Sequence, residues 1–116
     1  MEYKEITEKI MGSGFLESVY EKCMMIELKN LNLDAEAQQP IKVYYSDMVV
    51  GEFIADIIVN DLIILELKAV QKINKIHEVQ LVNYLVATRK PLGLLLNFGD
   101  EKVEVKRKVK SFEDVK

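Results

Sequence analysis

Three charged residues stand where charge is expensive. Asp56, Glu66 and Lys68 fall within residues 53–70, Phe-Ile-Ala-Asp-Ile-Ile-Val-Asn-Asp-Leu-Ile-Ile-Leu-Glu-Leu-Lys-Ala-Val, a stretch otherwise almost wholly apolar. Continuous apolar runs mark strands covered on both faces, and a charge buried there must be paired, hydrogen-bonded or metal-bound. Two carboxylates are hard oxygen donors that suit Mg²⁺ or Mn²⁺ rather than zinc. Glu66 and Lys68 are two apart on a strand, so they share a face at about 6.6 Å and can address one metal-bound water or phosphate. Such an ion neutralises a phosphate and helps generate hydroxide, while a lysine stabilises developing charge or orients the water. That is a setting for phosphodiester hydrolysis. Glu-x-Lys alone is weak evidence, since it also occurs at 2–4, 27–29 and 104–106. Only the copy at 66–68 lies in an apolar strand. Its alternative is a Glu/Lys pair on a solvated sheet face.

Asp56 belongs to the preceding strand, and its position makes a geometric demand. Asn60-Asp61 reads as a short hairpin turn. With a two-residue loop, opposed residues sum to 121, and Asp56 faces Leu65, away from Glu66. A three-residue loop or a one-residue bulge changes the sum to 122 and sets Asp56 beside Glu66. A joint site requires the offset, so the offset is the expectation.

The elements that position these residues follow from pattern. Residues 2–10 are weakly amphipathic through Tyr3, Ile6 and Ile10, and Gly12-Ser13-Gly14 interrupts them. A helix from Phe15 to Leu31 carries Phe15, Leu16, Val19, Cys23, Ile26 and Leu28 as its apolar stripe. Gly14 or Ser13 can cap it, Glu17 sits in its first turn, and Asn30 and Asn32 mark its end. After a polar link at 34–39 and Pro40, strands are expected at 41–45, about 49–59, with a bulge or bend at Gly51, and 62–70. Asn74 caps a helix over 75–89 with Ile76, Val79, Val82 and Val86 as one apolar set and Leu81 and Leu85 beside it. Pro91 stops it, and 92–98 is another buried strand. After a turn at Gly99-Asp100, residues 102–109 alternate as an edge strand guarded by lysines. The last six residues carry no clear pattern. The order helix, three strands, helix, two strands makes an α/β fold with one central sheet.

Two further groups could carry chemistry. Gln80 and Tyr84 lie one turn apart on the second helix, with His77 a turn earlier, and could line a polar cleft. The alternative is an exposed face with a half-buried tyrosine. Glu17 and Tyr20 are one turn apart on the first helix, where Glu17 alone reads as a helix-dipole residue. His77 is the only histidine, and neither Cys23 nor any serine sits in a nucleophile elbow, which disfavours covalent catalysis.

The 116 residues are expected to form one domain over 1–116, able to bury roughly two-thirds of the unfolded surface. A composition of 49% hydrophobic and 30% charged residues is that of a globular protein. One cysteine excludes an internal disulfide and a cysteine-based zinc site. Cys23 reads as a small core residue. No apolar run approaches the roughly 20 residues that span a bilayer and no secretory signal opens the chain, so no membrane association and a cytoplasmic home are expected. The net charge of −3 argues against coating nucleic acid by charge alone, but metal-binding carboxylates lower net charge by themselves. Residues 101–110 hold five Lys/Arg against two Glu, available for phosphate contacts or for simple solvation.

Together these residues resemble a known superfamily. Asp56, then Glu66-Leu67-Lys68 on the next strand, then a helix, resembles the core motif of the PD-(D/E)XK nucleases. Gln80-x-x-x-Tyr84 resembles the additional motif of their RecB-like exonuclease branch. Gly14-x-x-Glu17-x-x-Tyr20 resembles the signature of the small GxxExxY family within that superfamily, as do Gln39-Pro40, Val43 to Tyr45, Leu65 to Val70, Val79 to Leu85 and Leu92 to Phe98. The resemblance covers about residues 12–108. It implies a restriction-endonuclease-like α-β-β-β-α-β core, a central mixed sheet flanked by helices, with Mg²⁺ (or Mn²⁺) between Asp56 and Glu66 and the Leu67 carbonyl as a further donor. It implies that Lys68 positions or activates water, that Glu17 is an added ligand or a nearby supporting carboxylate, and that Gln80 and Tyr84 support the site or contact a nucleic-acid backbone. Ala55 departs from the proline of the superfamily name, Ile54 stands where a basic residue is usual, and the N-terminal helix is abbreviated. The implied activity is a metal-dependent nuclease acting on DNA or RNA. The competing readings are a non-catalytic nucleic-acid- or protein-binding module, and a structural protein whose Glu66–Lys68 pair is a buried ion pair. A domain this small exposes much of its cleft, which is consistent with a homodimer or a larger partner.

Overall fold

The computed structural model describes residues 16–99 and 102–111. The expectations for residues 2–10, for Gly12-Ser13-Gly14 as an interruption, for Phe15, for Asp100 and for 112–116 lie outside the described residues. Helix α1 spans Glu17–Asn30 and is followed by strands β1 (Ala35–Tyr45), β2 (Met48–Val59) and β3 (Ile63–Lys68). Helix α2 (Lys75–Thr88), β4 (Leu92–Asn97) and β5 (Glu104–Val109) complete the order. The five strands form one sheet in the order β1-β2-β3-β4-β5. Only β3 and β4 run parallel, which is the pair that needs a crossover, supplied by α2. The α/β architecture expected from the sequence is the one observed.

Two apolar cores lie on opposite faces of the sheet. On the α1 side Tyr20, Met24 and Leu28 meet Ile57, Val59, Leu65, Leu67, Leu94, Leu96 and Phe98. On the α2 side Leu81, Tyr84 and Leu85 meet Ile41, Ala55, Ile58, Ile64, Ile73 and Leu95. The alternation along β3 therefore puts Glu66 and Lys68 on the α2 face, beside Ile64 and Leu95.

Both helices are rotated from the expected stripe, although Leu28 of the first and Leu81 and Leu85 of the second are buried as expected. In α1 the buried residues are Tyr20, Met24 and Leu28, while Leu16, Val19 and Ile26 are exposed. In α2 they are Leu81, Tyr84 and Leu85, while Ile76, Val79 and Val86 are exposed. Each helix carries apolar residues on more than one face, so its own periodicity does not choose among them and the sheet does. The α1 N-cap is Leu16, in extended backbone and without a side-chain cap bond, rather than residue 13 or 14. Its other end closes as expected through Asn32, at φ 59°, with the Asn32 and Leu33 amides donating to the Lys29 and Leu28 carbonyls. Asn74 caps α2 as expected and accepts from the Ile76 and His77 amides.

The expected polar link at 34–39 is strand from Ala35 onward. Its inward positions are Ala35, Ala37 and Gln39, too small or too polar to advertise a strand, and Pro40 is tolerated because β1 is an edge. The pairing of β1 with β2 shifts by one residue between Val43–Gly51 and Tyr44–Val49, placing the bulge next to Gly51 as expected. Strand β5 is the edge strand expected at 102–109, in shortened form.

Asn97, fully buried, ties the ends of three elements together. Its amide nitrogen donates to the Val70 carbonyl at 2.8 Å and to Glu104 at 3.3 Å. Its carbonyl accepts from the Val70 and Gly99 amides at 3.0 and 3.1 Å. Glu104 accepts from the Ile73 amide, and Phe98 donates to the Lys68 carbonyl. The loop leaving Lys68 is thereby fixed to β4 and β5. A Cβ on Gly99 would lie 2.0 Å from the Val70 carbonyl oxygen, whereas one on Gly51 meets side chains alone, the Phe53 ring edge at 3.2 Å and Val43 Cβ at 3.8 Å. Gly99→Ala is therefore expected to cost about 3 kcal/mol in urea unfolding, the upper end of ordinary overpacking, and Gly51→Ala well under about 1 kcal/mol. Similar losses for both would contradict this packing.

Candidate active site

The hairpin of β2 and β3 carries the offset that the joint site demands. Ile57 pairs with Leu65, Ile58 with Ile64 and Val59 with Ile63, a constant sum of 122. The connecting loop is the three residues Asn60-Asp61-Leu62, with φ of 52° and 55° at Asn60 and Asp61. Tertiary bonds hold it from both sides. The Asn60 side chain accepts from the Asp34 amide at 3.0 Å, and Lys90 reaches Asp61 Oδ1 at 2.8 Å and the Asp61 carbonyl at 3.0 Å.

Beyond Ile57–Leu65 the two strands part, and side chains take over from the ladder. The Asp56 amide donates to Glu66 Oε2 at 2.8 Å, and the Leu67 amide donates to Asp56 Oδ2 at 2.8 Å. Asp56 is also where β2 loses its alternation, since Ala55 packs on the α2 side and Ile57 on the α1 side. On the neighbouring strand, Gln38 takes φ 53° and falls out of the pairing between Ala37–Ile57 and Gln39–Ala55. A left-handed non-glycine residue inside a strand costs about 1 kcal/mol or more and tends to accompany functional sites. The Gln38 side chain donates to both Glu21 oxygens at 2.9 Å.

Glu66 is only 6% exposed, which overturns the solvated-face alternative. Burial first, and then the Asp56 charge, push its carboxyl up to about 8, against the help of the Asp56 amide. Asp56 is raised in the same direction, chiefly by burial, with the Leu67 amide and Lys68 opposing and Glu21 and Glu17 reinforcing. Each carboxylate spends one oxygen on the backbone bond above. A hard donor set with one further oxygen on each side fits a divalent cation, which would relieve the repulsion that raises both groups.

The other expected residues are placed unevenly. Lys68 is half-buried on the Glu66 face, and its charge acts on both carboxyls. On α2, Gln80 Nε2 donates to Tyr84 Oη at 3.0 Å. Tyr84 is buried in the α2-side core with Ala55 and Leu95, and burial first, then the Glu66 and Asp56 charges, raise its hydroxyl above the usual phenol value. His77 is turned the other way, with Nδ1 accepting from the Asn74 amide at 3.3 Å. Glu17 lies at the end of β3, where Oε1 accepts from the Ala69 amide at 3.4 Å. Among the described residues no three His, Cys, Asp or Glu side chains gather closely enough to hold a metal ion, so Glu17 is not drawn together with Asp56 and Glu66. Tyr20 belongs to the core, stacked on Phe98 at 4.5 Å and 7°. In β5, Lys108 is paired with Glu78 at 2.9 Å. Sequence reasoning gave no role to Gln38, Asn97 or Glu104. The visible trace was Asn97, a lone polar residue ending the run Leu94-Leu95-Leu96.

A family model for the PD-(D/E)XK nuclease superfamily matches residues 3–108. No curated protein matches the chain. Among solved structures, the crystal structure of SSO0001 aligns with a TM-score of 0.62 at 19% identity, over 83% of this chain. The chain spans half of that protein's length, and the likeness is one of fold. No helix among the described residues is long and apolar enough to cross a membrane.

The raised carboxyls make stability depend on pH with a definite sign. An unfolded glutamate releases its proton near 4.5, whereas Glu66 in the fold keeps it to about 8. Between those values the folded chain holds more protons, so stability falls as pH rises. In chelator, the melting temperature is expected to drop between about pH 5 and about pH 8, and Glu66→Gln to flatten that decline. Parallel pH profiles for the two proteins would contradict the assignment.

Proposed function

This chain belongs to the PD-(D/E)XK nuclease superfamily, and from that premise we propose that it is a divalent-metal-dependent nuclease whose site is the Asp56–Glu66 pair. The observation that carries the reading is the one-residue offset of the β2–β3 hairpin, which brings the buried Glu66 and half-buried Asp56 carboxylates to one gap, on the strand face that Lys68 shares. Asp56 and Glu66 would hold the cation, Mg²⁺ or Mn²⁺, with the Leu67 carbonyl as a third candidate donor. When bound, such an ion supplies Lewis-acid stabilisation of a phosphoryl group and lowers the pKa of a coordinated water.

The chain's own residues do the rest. The crossed backbone bonds fix the orientation of both carboxylates before any ligand arrives, which removes a reorganisation cost. The Lys68 ammonium, on the same strand face as Glu66, orients the attacking water or stabilises charge on the phosphoryl oxygens. Gln80 donates to Tyr84 Oη, which leaves the phenolic hydrogen for a phosphate oxygen or a water. Glu17 acts as a supporting carboxylate at the end of β3. Its place in Gly14-x-x-Glu17-x-x-Tyr20 supports the closer kinship with the GxxExxY family. The substrate is nucleic acid.

Purified protein incubated with single- and double-stranded DNA and RNA is expected to cleave with Mg²⁺ or Mn²⁺ and to stop with chelator. Asp56→Asn and Lys68→Met, checked for folding by circular dichroism, are each expected to lower the rate by about 100- to 1,000-fold, the usual loss for one group that stabilises transition-state charge. Tight binding without cleavage would favour the non-catalytic module instead.

A further inference from the structure

A second feature lies beside the carboxylates. Strands β1 and β2 pair from Ala35–Val59 out to Tyr45–Met48, whereas β3 pairs with β2 only at residues 57–59. The far half of the β1–β2 hairpin thus projects past the sheet, and between it and α2 lies a groove of about 800 Å³. Gln80 and Tyr84 line this groove, and Tyr84 packs in the same core cluster as Ala55, the residue before Asp56, so the groove adjoins the carboxylate site. Its walls carry Tyr44 and Phe53, which are 61% and 44% exposed. The Phe53 ring lies 5.7 Å from Tyr84, tilted by 45°. Lys42 and Arg89 add cations to the same lining, in a chain whose net charge is −3.

We propose that this groove binds a single-stranded nucleic-acid segment and leads it to the carboxylates, with bases stacked on Tyr44 and Phe53 and phosphates met by Lys42 and Arg89. The proposal rests on the nuclease reading above and narrows its substrate to unpaired strands. Bases in a duplex have already spent their faces on one another. Solvent-facing aromatic rings inside a groove can therefore engage only bases that are unpaired. Rings and cations on one lining match a chain that carries both bases and phosphates, and this charge complementarity favours nucleic acid over an apolar protein segment. The face of α2 that the sheet leaves uncovered, Val79 and Val86, extends the apolar floor.

The test is binding in chelator, where no cleavage occurs, read by the anisotropy of labelled oligo(dT) and of a blunt duplex of equal length. Oligo(dT) is expected to bind more tightly than the duplex. Tyr44→Ala is expected to weaken it by about 5- to 150-fold, the measured range for one stacking ring, whereas Tyr44→Phe keeps the ring and the affinity. A 5-iodouracil-substituted strand is expected to crosslink within residues 42–53. Equal or tighter duplex binding, unchanged affinity in Tyr44→Ala, or a dimer dissolved by Tyr44→Ala without oligonucleotide binding would overturn the proposal. Cleavage confined to duplex would remove the groove and keep the nuclease. Oligo(dT) binding that depends on Tyr44, with no cleavage under either metal, would keep the groove and remove the nuclease.

Discussion

The structure turns on two reciprocal hydrogen bonds where β2 and β3 separate. An ordinary sheet would satisfy the Asp56 and Leu67 amides with carbonyls across the ladder. Here the Glu66 and Asp56 carboxylates accept them instead. The exchange leaves no buried side-chain donor or acceptor unpartnered among the described residues, and it locks two acidic groups into one gap. Charge-assisted bonds of this kind are among the stronger ones, yet the same burial that strengthens them makes simultaneous ionisation costly. The gap is consequently stable when a proton or a cation is present and strained when neither is.

Everything around the gap keeps it open at that place and no other. Asn60 and Asp61 adopt left-handed backbone and are tied to Asp34 and Lys90, which sets the pairing of β3 against β2. Gln38 breaks the regularity of β1 opposite Asp56, so the irregularity reaches across two neighbouring strands. Beyond the site, Asn97 and Glu104 hold the loop that follows Lys68. A lysine two residues beyond a buried glutamate needs such an anchor, because a frayed strand end would let its long side chain wander to solvent.

Much of this was legible in the chain itself. The apolar runs of β3 and β4 make Glu66 conspicuous, and the requirement that Asp56 join it sets the register. Strand β1 was half hidden because Ala37 and Gln39 occupy its inward positions, and only the partner strand reveals them as strand. The helical faces are only partly legible for a related reason. Ile76, Val79 and Val86 form as good a stripe as Leu81, Tyr84 and Leu85, and the choice was made by the fit of Leu81 against Gly93, which a larger residue would block. Gln38 and Glu104 left no trace because their roles depend on pairs 17 and 31 residues away in the chain.

The central claim is that the offset hairpin makes Asp56 and Glu66 a single divalent-cation site. The most direct measurement is anomalous diffraction at the manganese edge from crystals grown with Mn²⁺. The account predicts one dominant peak in the gap between β2 and β3, bonded to a carboxylate oxygen of Asp56 and of Glu66. A gap without an anomalous peak under saturating Mn²⁺, or an ion bound elsewhere with the two carboxylates still joined only to the backbone amides, would contradict it.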